Sequence, residues 1–109
     1  WVDQVPADQE PQQQRLSMIS DADGVLQVSG AMTLRDAAGL LAEGNAALKN
    51  AETVFDLAAV ETVDSSAIAV IFGWLREARE QGKRIRIIHP PQDLLSLAAV
   101  YGVSELLPL

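Results

Sequence analysis

One junction constrains this chain more than any other: Val63-Asp64-Ser65-Ser66-Ala67-Ile68, where the hydrophobic period changes. Before it, Thr53-Val54-Phe55-Asp56-Leu57 is a short apolar run, rich in β-branched and aromatic residues, that reads as a buried strand. After it, Ile68, Ile71, Phe72, Leu75 and Ala78 recur at helical spacing and would form one apolar stripe. Asp64 stands where an N-cap belongs, Ser65 and Ser66 fall in the first turn, and Gly82 stands where the helix stops. The chain is thus expected to feed a strand into a helix over Ser65–Gln81 through a serine-bearing turn.

Free first-turn amides and the positive end of the helix dipole would stabilise a phosphate on a hydroxyl placed there. The competing explanation is that Asp and Ser are simply common cap residues and only start the helix. Spacing leaves both open.

The rest of the chain can be read outward from this unit. Residues 1–14 are rich in Gln, Pro and acids, lack periodicity and read as a disordered tail, followed by one domain over 15–109. The first residue is Trp rather than Met, as in a trimmed or processed product. Leu16–Ser20 and Val25–Ser29 are strand candidates joined by the turn Asp21-Ala22-Asp23-Gly24, with Gly30 ending the second. Thr33, with Asp36 three residues on, resembles a capping box for a helix over Leu34–Lys49, whose apolar positions would be Leu34, Ala37, Ala38, Leu41 and Leu48. Gly39 and Gly44 weaken that helix, so packing must hold it. Lys83–His89 reads as a strand with Arg84 and Arg86 outward. Pro90-Pro91 opens a helix lined by Leu94, Leu95, Leu97, Ala98 and Tyr101 and ended by Gly102, and Val103–Leu107 closes the chain as a turn or strand. The order β-β-α-β-α-β-α predicts an α/β fold with a mixed sheet, its helices mainly on one side.

Composition removes several function classes. There is no cysteine, so no disulfide, thiolate metal site or cysteine nucleophile. His89 is the single histidine, which disfavours a transition-metal site and leaves a Ser-His-Asp triad without a G-x-S-x-G elbow. No phosphate-cradling glycine loop occurs, and the chain is read as a non-enzyme needing no cofactor and no metal. No apolar run is long enough to span a bilayer and no signal peptide is evident, so a cytoplasmic protein is expected. The net charge of −7 argues against nucleic acid as partner. Residues 1–64 carry 3 basic and 11 acidic side chains, whereas Arg76, Arg79, Lys83, Arg84 and Arg86 cluster in the second part. That cluster is accounted for by a helix C-terminus and an exposed strand face.

On a helical wheel, Ser66, Ala69, Gly73, Arg76 and Glu80 lie away from the Ile71–Leu75 stripe. This small-residue strip, rimmed by Trp74 and Arg76, suits a docked protein. The alternative is that Trp74 packs beneath a neighbouring helix and Gly73 permits close approach.

The strand, the Val63–Ile68 junction and Trp74-Leu75-Arg76-Glu77-Ala78-Arg79-Glu80-Gln81-Gly82-Lys83 resemble the STAS domain, found in anti-sigma-factor antagonists and sulfate transporter tails. Its pattern places a phosphorylatable Ser or Thr directly after an Asp, which maps onto Ser65; Ala67 departs from the usual Gly. Within that family, Ser29-Gly30-Ala31-Met32-Thr33-Leu34, Trp74–Arg79, Pro91–Ala98, Tyr101-Gly102-Val103 and Leu106-Leu107-Pro108 are similar to the STAS subunits of Mla-type phospholipid ABC transporters of Gram-negative bacteria. The resemblance covers roughly residues 15–109. It implies a non-enzymatic cytoplasmic accessory, peripheral to the inner membrane through a permease, that binds the transporter's ATPase subunit in a complex maintaining outer-membrane lipid asymmetry. Asp64, Ser65, Ser66, Ala69, Gly73 and Arg76 would form the docking surface. The alternative it carries is a phospho-switch anti-sigma-factor antagonist with Ser65 as the modified residue.

Overall fold

The computed structural model describes residues 18–109; the readings of residues 1–14 and of Leu16 and Ser17 fall outside them. The elements are β1 (Ile19–Ala22), β2 (Val25–Met32), α1 (Ala37–Ala46), β3 (Glu52–Val63), α2 (Ser65–Glu80), β4 (Arg84–Ile88) and α3 (Gln92–Val100), with 3₁₀ turns at Leu34–Asp36 and Ser104–Leu106. The four strands form one sheet in the order β1-β2-β3-β4. β1 runs antiparallel to β2, whereas β2–β3 and β3–β4 are parallel, as helical crossovers require. The expected mixed sheet is therefore observed.

Side chains alternate across this sheet. Leu26, Phe55 and Ile87 stand in register on three adjacent strands, all buried. The opposite face exposes Ser20, Gln27, Arg84 and Arg86. The helices cover the buried face, and α2 supplies the centre of the core. The Trp74 indole stacks on Phe55 with ring centroids 4.1 Å apart and planes 5° from parallel, and its Nε1 donates to the Leu40 carbonyl of α1 at 3.1 Å. Burying a polar N–H in this position requires such an acceptor.

Several boundaries differ from the sequence reading, each for a local reason. The hairpin tip is only Asp23-Gly24, with φ of +56° and +86°, the paired positive values of a two-residue type I′ turn. Asp21 accepts the Gly24 amide at 3.0 Å, so Asp21 and Ala22 remain in β1. Gly30 does not end β2. Its φ of +84° sits at a register shift between β2 and β3, and the strand continues to Met32. β3 does not stop at Leu57 but reaches Val63, because residues bulge out of the β2 pairing and the ladder then resumes. The Asp56 carboxylate accepts the Ala58 amide at 2.9 Å and braces the first bulge.

The capping box at Thr33 is absent: no side-chain cap bond forms there, and α1 begins at Ala37 after a 3₁₀ turn. The face of α1 that reaches the core is consequently Leu40 and Gly44, while Leu34 is 76% exposed. Gly44 explains the weak propensity of this helix, since a Cβ there would lie 2.1 Å from Trp74 Nε1. Tyr101, assigned to the lining of the last helix, is also exposed, and the closing segment is a 3₁₀ turn. After it, the Pro108 carbonyl accepts the Ile87 amide at 2.7 Å, on the side of β4 away from β3.

Candidate functional site

Asp64 organises the junction. Its backbone is extended, as an N-cap requires, and its carboxylate is shared between two segments. Oδ1 accepts the Ser66 amide at 2.8 Å and Oδ2 accepts the Leu34 amide at 3.0 Å. The Asp64 amide donates to the Met32 carbonyl at 3.2 Å. One carboxylate thereby starts α2 and fixes the turn that follows β2. The Leu34 amide, with smaller help from Ser66, holds the Asp64 carboxyl below its ordinary range against a smaller opposing effect of desolvation. This was missed in the sequence because Thr33 offered a nearer cap for the same turn.

Ser65 is the first residue of α2 and is exposed; Ser66 is half-buried and faces Asp64. Ala69 and Arg76 are exposed on the same side as Ser65, and Phe72, half-buried, completes an i, i+4, i+7, i+11 line with them. Gly73 does not belong to this surface. It is buried, and a Cβ there would sit 2.4 Å from Leu41 Cδ1, so its role is to let α1 approach α2. Trp74 is likewise absent from any rim, being fully buried against Phe55. The wheel failed here because α2 is covered along two directions, by the sheet and by α1, and the strip between them is interior.

The exposed side of α2 contains more than small residues. Ser65, Ile68, Ala69 and Phe72 border an open hollow of about 360 Å³ whose far wall is Tyr101, itself 57% exposed at the end of α3. Ile68 is buried in the core and Phe72 packs against it, as their helical spacing predicts, and both also reach the rim of this hollow, whereas Tyr101 is exposed rather than lining its helix. The available signal was the spacing of Phe72, seven residues after Ser65 and hence on its face. A shallow hollow with the hydroxyls of Ser65 and Tyr101, the small side chain of Ala69 and two aromatic edges is suited to protein contact, since aromatic side chains anchor interfaces.

A second polar pair lies at the end of β4. His89 Nδ1 and Asp56 Oδ1 are 3.0 Å apart, and His89 has a φ of +55°. The Ala58 amide and, after it, His89 lower the Asp56 carboxyl from its usual value. Among the described residues no group of three or more His, Cys, Asp or Glu side chains is placed to hold a metal, and no helix is long and apolar enough to cross a membrane.

Comparison with known proteins agrees with this architecture. A solved structure of the anti-sigma factor antagonist SpoIIAA in its unphosphorylated form superposes with a TM-score of 0.57 at 14% identity, over 72% of this chain and 77% of that one. The crystal structure of Mglu superposes with a TM-score of 0.56 at 17% identity, over 72% of this chain and 21% of that one. Both likenesses are of fold. At the level of sequence, the intermembrane phospholipid transport system binding protein MlaB of Haemophilus influenzae is 33% identical over 51 residues, which is 47% of this chain and 49% of that protein. The match thus spans about half the length of that relative. The family model described as "Mlab, STAS domain" matches residues 17–108. On that match, carried by nearly the whole described fold, this chain belongs to the MlaB-type STAS domain family.

Proposed function

We propose that this domain is a non-enzymatic accessory subunit of an intermembrane phospholipid transport system, held at the cytoplasmic side of the inner membrane by docking on the system's ABC ATPase. The observation that carries the reading is the family match over residues 17–108, together with a curated relative named as a binding protein of such a system. The exposed side of α2 suits the docking role: Ser65, Ala69 and Phe72, facing Tyr101, offer a shallow, largely apolar surface with two hydroxyls. Asp64 serves this surface from behind, by fixing the start of α2.

Replacing Ser65 by Arg places a long charged side chain in the hollow while the cap bonds of Asp64 remain. The expected result is at least a tenfold loss of affinity for the cognate ATPase, by calorimetry, with an unchanged thermal unfolding midpoint. Equal affinity for the wild type and the variant overturns the reading.

A phospho-switch is the second reading, favoured by the exposure of Ser65 at the first position of a 16-residue helix. It requires that a cognate kinase add one phosphate to Ser65, seen by intact mass and absent in Ser65→Ala; no mass change removes this reading.

A further inference from the structure

Along the other shoulder of α2, two grooves run end to end. The first, about 270 Å³, is lined by Phe72, Leu75, Arg76, Arg79 and Leu106. The second, about 320 Å³, continues between α2 and β4 over Leu75, Ala78 and Ile85, with Arg79 and Lys83 at its sides and the start of β4 at Arg84 at its end. Leu75 and Arg79 border both, so the two grooves adjoin and are together called the trough, with apolar side chains and the cations Arg76, Arg79 and Lys83 around it.

The cations of this trough are not neutralised from within. The chain carries a net charge of −7, yet among the described residues the one ion pair within 4.0 Å is His89–Asp56. Arg76 and Arg79 are exposed and have no carboxylate partner among the described residues; Lys83 donates to the Leu48 carbonyl at 2.6 Å. An acidic protein that leaves its arginines unpaired beside exposed Leu106 presents a surface complementary to negative charge joined to apolar groups.

The shape selects among such ligands. β4 is an edge strand, and its outer side already takes one extended segment: Ile87 donates to Pro108, just after Leu107 in extended conformation. Ile85, two residues earlier, points its backbone groups to the same side. A concave trough beside an edge that pairs with extended chain fits a peptide, by strand addition, rather than a flat bilayer. We propose that the α2–β4 trough binds an extended acidic peptide segment of a partner protein, its carboxylates on Arg76 and Arg79 and its apolar side chains over Leu75 and Ile85. Phe72 borders both this trough and the Ser65 hollow, but Arg79, Leu75 and Ile85 lie outside the hollow, and the proposal does not depend on the docking reading above.

The probe is a fluorescein-labelled ten-residue peptide of alternating Glu and Val, titrated with the full chain and followed by anisotropy. The expected result is saturable binding that weakens with salt and falls about tenfold or more in Arg79→Glu. Arg86→Glu makes the same charge change on the opposite sheet face and is expected to shift affinity less than twofold, and Ser65→Arg to leave it unchanged. Equal losses in Arg79→Glu and Arg86→Glu mean unspecific attraction and overturn the proposal, as does absence of binding. Co-sedimentation of the wild type, but not Arg79→Glu, with vesicles of three parts phosphatidylcholine to one part phosphatidylglycerol, without peptide binding, assigns the trough to a membrane and also overturns it.

Discussion

Two glycines carry much of the packing between α1 and α2, and they do so unequally. At Gly44 an added methyl would meet the indole of Trp74, with three ring atoms between 2.1 and 2.8 Å away. That ring cannot retreat, since it is stacked on Phe55 and bonded to the Leu40 carbonyl. At Gly73 the near atom is the free end of Leu41, a half-buried side chain that can turn aside. Gly44→Ala is therefore expected to destabilise the domain by about 3 kcal/mol or more, and Gly73→Ala by about 1 kcal/mol. Urea unfolding of the two variants checks the order; equal midpoints would contradict it.

At the scale of elements, the junction between β2, β3 and α2 depends on ionised carboxylates. The Asp64 carboxyl titrates lower in the folded chain than in the unfolded one, because the Leu34 and Ser66 amides bond its charged form. Asp56, bonded by Ala58 and His89, has the same sign. Their stabilisation is complete above the unfolded carboxylate pKa of about 3.9 and is lost as pH falls through the lower folded values. The unfolding midpoint of the wild type should fall on acidification below about pH 4, and Asp64→Asn should lower the midpoint at pH 7 while making the acid decline shallower. Thermal melts between pH 7 and 2.5 measure both. The same elements show what a sequence makes legible. The change of period at Val63–Ile68, the turn residues Asp23-Gly24 and the alternation in Lys83–His89 are local signals, and they located a strand–helix junction, a hairpin and an edge strand. The second half of β3 carried no such signal. Its bulges leave Ala58 and Ala59 exposed between buried Leu57 and Val60, so neither a period of two nor of 3.6 survives. The start of α1 was displaced for a similar reason: the first amide of the 3₁₀ turn before it, that of Leu34, is bonded by a residue 30 positions away. On the exposed side of α2, the outward positions of Ala69 and Arg76 were legible from the wheel, and Ser65 from its place in the first turn and from the family resemblance. Gly73 was misplaced, and Tyr101 was unavailable, because each depends on which neighbour covers α2.

On the scale of the whole molecule, the fold separates its candidate surfaces. The hollow near Ser65 lies where β3 ends and α2 begins, the trough follows the last turns of α2 beside β4 and meets the hollow at Phe72, and Arg86 lies on the uncovered sheet face. A variant at Ser65 and one at Arg79 accordingly interrogate separate contacts, and their effects on a partner that touches both should add.

The tip of the first hairpin offers a means of watching such contacts. Asp23 and Gly24 close β1 onto the beginning of β2, whereas Ser65 follows the end of β3, which runs parallel to β2. The tip and the hollow therefore occupy opposite ends of the sheet. Both tip residues are exposed and their tight turn is closed by Asp21 rather than by the core. With no cysteine in the sequence, a single thiol introduced at position 23 would take a dye or spin label alone, giving a reporter on the pole away from Ser65.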